Sequence, residues 1–185
     1  MKFLEWLFDL FTQKNRLFLS NSYLLFPTSF LYMDFFYKNN TLSIESDKKV
    51  IQCLPNQVNL DGLSLEMAGE YEKWGFLAYA YEENESRIFQ ITIEWYHVGY
   101  ISETLTDLSS AALDFLGDLD ILVMPTGKGS VALIEKIEPR LVVTYGEAAH
   151  ELATHMGISE PPVAKYRLKD ADLSLDKAGC VVMGE

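Results

Sequence analysis

Two short, unbroken apolar runs decide most of what this chain can fold into. Residues 120–124 read DILVM and residues 141–145 read LVVTY. A strand with one face in water alternates apolar and polar residues. A run without alternation is buried on both faces, as in parallel sheets covered by helices. The segments around these runs have a helical period. Residues 105–116 read as a helix, with Thr106 or Asp107 as its cap and Gly117 after its end. Residues 130–137 read as a second helix that Ser130 could cap. Residues 147–156 read as a third, closed by Gly157. The second half of the chain therefore predicts strands alternating with helices.

The first half has a different rhythm. Residues 34–52 have a hairpin pattern, with DFFYKNN running into an Asn-Asn turn and a further turn at Ser46-Asp47. Pro55-Asn56 stops the pattern, and Asp61-Gly62 marks a turn within 58–67. Residues 75–81, 87–95 and 97–101 read as strands, the first two separated by the acidic loop Glu82-Glu83-Asn84-Glu85. Residues 166–168 and 180–183 read as closing strands. A run of strands followed by βαβα predicts an α/β or mixed α+β layered fold.

Composition narrows the function classes. With 185 residues, 49% of them hydrophobic and 23% charged, the chain can bury one proper core and a small appendage. Fifteen basic against 27 acidic residues give a net charge of −12, which repels phosphate backbones and anionic membrane surfaces. Nucleic acid is not an expected partner. Cys53 and Cys180 are far apart and form no CxxC, so a reducing, cytoplasmic setting is the expectation.

The amino end is an aromatic extension over residues 1–33, ahead of a domain at 34–185. Glu5 and Asp9 interrupt residues 1–11 at helical spacing, giving an amphipathic helix rather than a signal peptide. No stretch reaches the roughly 18 apolar residues of a membrane span. Twelve of the 24 aromatic residues lie in the first 37 positions, a skew that needs a burial partner. The candidates are the body of the same chain, a second copy, or a membrane or foreign partner. A homodimer through this segment is the partner expected here.

Four segments together resemble the metallo-β-lactamase fold, in its compact Zn-dependent hydrolase, ascorbate-lactonase-like subgroup. They are Gly69-Glu70-Tyr71-Glu72 before Gly75-Phe76, RIFQITIEWYHVG at 87–99, GDLDILVMPTG at 117–127 and IEKIEPRLVVTY at 134–145. The resemblance implies an αββα sandwich of two mixed sheets and a hydrolase in which zinc activates water. It also implies where ligands would stand. The family's HxHxDH motif would fall before the Gly69 segment, where PNQVNLDGLSLEM contains no histidine. Tyr100 stands where the bridging aspartate would, and the final histidine falls near Thr144-Tyr145-Gly146. His97 matches one family histidine, but a single imidazole holds zinc poorly. The expectation is a reduced, degenerate member with no metal or other cofactor, acting in binding or assembly.

Other chemistry finds less support in the residues. His150 and His155 are five apart, rotated by roughly 140° on a helix, and cannot chelate one ion. His97 is expected in the core or hydrogen-bonded. Glu70 and Glu72 face the same way on a strand and read as structural or solvated. Should a hydrolase site have moved, His97, Glu70 and Tyr100 are the catalytic candidates. A third reading is a docking module using residues 1–11. Ser109, Ser110 and Ser130 lack a nucleophile elbow. Gly127-Lys128-Gly129-Ser130 lacks phosphate-loop spacing and reads as a turn. Cys53 and Cys180 read as small buried hydrophobes. Trp74 and Trp95 stand where the resembled family commonly has glycine, which suggests a UGA codon that the source reads as glycine.

Overall fold

The computed structural model describes residues 32–174 and 178–185. The helix expected at 1–11 and the aromatic stretch up to residue 31 lie outside them.

The alternating first half forms hairpins because each strand is apolar on one face. β1 (Met33–Lys38), β2 (Thr41–Ser46), β3 (Lys49–Leu54), β4 (Gln57–Leu60) and β5 (Leu63–Leu65) form an antiparallel meander. β12 (Lys165–Arg167) joins it beside β1, completing a six-stranded sheet A in the order β12-β1-β2-β3-β4-β5. Asp34 is buried at that seam. It accepts from Arg167 Nε and Nη2, both at 2.7 Å, and its Oδ2 lies 3.1 Å from Lys165 Nζ.

Sheet B has seven strands. β6 (Gly69–Lys73), β7 (Phe76–Glu83), β8 (Ser86–Ile93) and β9 (Tyr96–Ile101) are antiparallel neighbours. β10 (Ile121–Pro125), β11 (Leu141–Tyr145) and β13 (Gly179–Met183) then continue parallel from β9. The order is β13-β11-β10-β9-β8-β7-β6. Among the described residues three helices cover this sheet: α1 (Ser110–Leu116), α2 (Ser130–Ile137) and α3 (Ala149–His155).

The unbroken apolar runs are explained by two cores, one on each face of sheet B. Phe35, Ile44, Ile51 and Leu60 of sheet A meet Ile91, Val98, Val123 and Val143 of sheet B. On the other face Leu122, Met124 and Val142 meet Ala112, Leu133 and Leu152 of the helices. Each such side chain contributes roughly 1.5–3 kcal/mol on burial. The two-sheet sandwich expected from the resemblance is present, but only sheet B is mixed, since every pairing in sheet A is antiparallel. Among the described residues its helices all cover sheet B, while Ser43, Gln52, Asn59 and Ser64 line the outer face of sheet A in one cross-strand row.

Several boundaries differ from the periodicity. The β2–β3 turn is Asp47-Lys48, one residue later than expected. β8 stops at Ile93, and Glu94-Trp95 form the turn to β9. Glu82 and Glu83 lie in β7 rather than in a loop. Glu83 is buried because it accepts from Ser109 N (2.7 Å) and Ser109 Oγ (3.0 Å). That contact also fixes α1, whose cap is Ser109 rather than Thr106 or Asp107. Ser130 does not cap α2. Its Oγ accepts from Gly127 N at 2.9 Å, and Gly129 takes the cap position at φ 92°. Any Cβ at Gly129 would lie 3.1 Å from Thr106 Cα, so only glycine lets the two loops meet. α3 begins at Ala149, two residues after the expected start.

Candidate functional site

Parallel strands present their chemistry at their carboxyl edge, where the loops to the helices leave. Here that edge is the end of β9, β10 and β11, with the loops beginning at Ser102, Thr126 and Gly146. Two groups of side chains occupy it.

The first group is phenolic and lies between the sheets. Tyr100 is 1% exposed and donates to the Leu54 carbonyl at 2.9 Å, while its ring stacks on Phe89 at 5.8 Å. Cys53 belongs to the same core, as do the partly buried Tyr37 and Tyr145, whose rings are 5.6 Å apart. Burial drives the chemistry of these groups. It pushes the Cys53 thiol up to about 12 and holds the Tyr100 phenol well above its ordinary range, with Cys53 and Tyr145 adding to the shift. Tyr145 is raised as well, again chiefly by burial. All three stay protonated at neutral pH, the form least able to ligate a cation or attack a substrate.

The second group is a polar bridge between the sheets. Asn56, in the β3–β4 turn, accepts from Arg87 N and Ser102 Oγ, both at 3.0 Å. Its Nδ2 donates to Glu103 Oε1 at 2.6 Å, and Glu103 Oε2 accepts from Ser86 Oγ at 2.9 Å. Arg87 Nη1 donates to the Asn56 carbonyl at 2.6 Å. Beside it, the Thr126 and Thr144 hydroxyls bond each other, and Thr144 also donates to the Met124 carbonyl. The 102–107 loop lies against the glycine loop, so that a Cβ at Gly127 would come within 2.7 Å of the Thr104 side chain. Side-chain and backbone bonds thus tie this edge together from within, with Arg87 Nε left as a buried donor without a hydrogen-bond partner.

The three catalytic candidates are not brought together. His97 and Tyr100 are three apart on β9 and point to opposite faces of sheet B. Register runs Glu70 to Tyr79 to Gln90 to Gly99, placing Glu70 three strands from β9, about 14 Å away. Glu70 and Glu72 are exposed on the edge strand, as solvated residues. Of the two positions expected for His97, core or hydrogen-bonded, the structure excludes the first, because its side chain is exposed. Its backbone N–H donates to Asp120 Oδ2 at 2.9 Å and its carbonyl accepts from Asp120 N. His150 and His155 are exposed on α3.

Zinc requires three or more nitrogen, sulfur or carboxylate donors at about 2.0–2.3 Å. Among the described residues no three His, Cys, Asp or Glu side chains gather so. The donors at the carboxyl edge are neutral phenols, a protonated thiol, hydroxyls and one carboxylate, Glu103, whose two oxygens accept from Asn56 and Ser86, and this set does not fit the ion. Sequence reasoning missed the convergence of Tyr37, Tyr145 and Cys53 on Tyr100, and the bridge built on Asn56. Their only local signal was Pro55-Asn56, read as a stop. A cavity of about 920 Å³ lies elsewhere, between α2 and α3, lined by Ile134, Leu152, Met156 and Arg140 at the amino end of β11. No helix among the described residues is long and apolar enough to cross a membrane.

No protein-family model matches the chain, and no curated protein matches it. Among solved structures it is similar to a protein of Thermotoga maritima described as a Zn-dependent hydrolase of the metallo-β-lactamase superfamily. The TM-score is 0.67 at 14% identity, over 82% of this chain and 98% of the other. The likeness establishes the fold: this is a metallo-β-lactamase sandwich. At that identity it carries no statement about chemistry.

Proposed function

We propose that this metallo-β-lactamase sandwich is a degenerate member of its fold, one whose carboxyl edge has become a closed structural wall, and that it serves binding or assembly rather than hydrolysis. The observation that carries this reading is Tyr100. It stands where the resemblance puts the bridging aspartate, yet its hydroxyl is spent on the Leu54 carbonyl and its ring on Phe89. A carboxylate there would be a buried charge without a cation, whereas a neutral phenol packs and bonds. The Asn56–Glu103–Ser102–Arg87 bridge supports the reading further, since it uses the polar groups nearest the edge to join the two sheets.

Two cytoplasmic copies joined through the aromatic amino-terminal segment are the assembly we propose. Half of the aromatic residues lie in the first 37 positions, which supports it. Metal analysis of full-length protein purified without chelators tests the first part, with substoichiometric metal expected. Stoichiometric zinc, iron or manganese, lost in Tyr100→Phe, overturns it. Solution mass with and without residues 1–16 tests the second. A dimer that becomes a monomer supports it, and a dimer that persists refutes this interface.

A further inference from the structure

The tight turns of this chain contain their own control experiment. Seven hairpins among the described residues are closed by two residues each: 39–40, 47–48, 55–56, 61–62, 74–75, 84–85 and 94–95. Such loops favour φ above zero at both positions, because that twist matches the right-handed twist of the strands. Five of the seven adopt it at both. In four of those five the first residue is Asn39, Asp47, Asp61 or Asn84, with φ between 46° and 51°. Asn and Asp tolerate that region through local side-chain hydrogen bonds. The fifth is Trp74, at φ 56°.

A bulky side chain in that region is an outlier, and it persists where packing holds it there. Among the described residues nothing does so here. Trp74 is 62% exposed, and the contact made at this residue uses its backbone, where Lys49 Nζ donates to the carbonyl at 2.7 Å. The next residue, Gly75, has no atom within 4 Å of where a Cβ would sit, so the turn stands in open water.

The other two hairpins depart from the pattern. Pro55 does so because its ring fixes φ near −65°. In the other, Glu94 takes φ 58° but Trp95 does not follow. Trp95 is 85% exposed. A glycine in place of Trp95 would let the 94–95 turn adopt the same geometry as Asp61-Gly62. Both tryptophans of the described residues thus sit in hairpin turns, hardly packed, in a fold that buries Phe35, Phe89 and Tyr100 between its layers. Indoles are among the side chains that gain most from burial.

We infer that positions 74 and 95 are glycine in the protein as its source cell makes it, both being spelled by a UGA codon which that cell reads as glycine. One substitution rule then accounts for a strained turn, a deviant turn and two solvent-exposed indoles. It also has a consequence for recognition. With glycine at both positions the β6–β7 and β8–β9 turns lose both indoles, so neither turn offers an aromatic docking surface.

Reading the two codons in the gene is the first test. UGA at both supports the inference, and UGG at either overturns it. Peptide mass spectrometry of the protein isolated from its source is the second. Glycine at both positions is expected, and tryptophan at either refutes the assignment. A third test uses the full-length protein made both ways. The Trp74→Gly/Trp95→Gly form should melt at the same temperature or a few degrees higher. A lower melting temperature would mean that the indoles are packed or partnered, and would overturn the inference.

Discussion

Replacing Tyr100 with Phe isolates the one hydroxyl on which the structural reading of the carboxyl edge depends. The ring is kept, so its stacking on Phe89 at 5.8 Å and its place in the inter-sheet core survive. What is removed is a 2.9 Å hydrogen bond to the Leu54 carbonyl at a site that is 1% exposed. A typical bond of this kind contributes about 1 kcal/mol net, and a buried acceptor left unpaired raises the cost to about 1–3 kcal/mol. Leu54 closes the β3–β4 hairpin opposite Gln57, so the unpaired carbonyl has little freedom to turn toward water. The expected loss is therefore about 2 kcal/mol. Urea denaturation followed by circular dichroism reads it directly. With a slope of about 2 kcal/mol/M the midpoint should fall by about 1 M, with the slope unchanged. If Tyr100→Phe leaves the midpoint in place while abolishing a binding or hydrolytic activity, the phenol is a functional group and the wall reading is refuted.

Three further outcomes follow from the same geometry. Burial raises Cys53 to about 12 and Cys180 to about 11, both above the unfolded value of about 8.5, so the native state prefers neutral thiols. That stability is complete below about pH 8.5 and is lost as pH rises, by up to about 1.4 kcal/mol per pH unit per thiol. Urea midpoints between about pH 7 and 10.5 should show the decline, and Cys53→Ala should reduce it to the part that Cys180 contributes. The bidentate bond from Arg167, with help from Lys165, holds Asp34 below the usual carboxylate range. Its contribution is present above about pH 4 and is lost as pH falls further, so Asp34→Asn should cost about 1–3 kcal/mol at pH 7 and progressively less toward pH 2. Gly129→Ala forces a Cβ into φ 92° and within 3.1 Å of Thr106, and should cost about 2–4 kcal/mol by thermal melting. A neutral result would mean that the two loops are not packed as described.

The sequence by itself determined the layered class of this protein. ILVM and LVVTY, short runs bounded by turn signals, read as strands covered on both faces, and the alternation before them as sheet with one apolar face, because side-chain period is a local property of backbone geometry. It also located the Asn39-Asn40 and Asp61-Gly62 turns, whose residue types meet a conformational demand on the spot. Tertiary structure alone decided the rest. Helix α1 takes Ser109 as its cap because Glu83, 26 residues earlier, accepts its N–H, and Ser130 turns away from capping because Gly127 donates to it. Likewise Tyr100 meets Leu54 and Cys53 across the gap between the two sheets and Tyr145 from two strands away in its own sheet, a convergence with no spacing rule in the chain. Such contacts are set by how the layers stack, and the free energy of a buried polar group depends on the partner that stacking delivers.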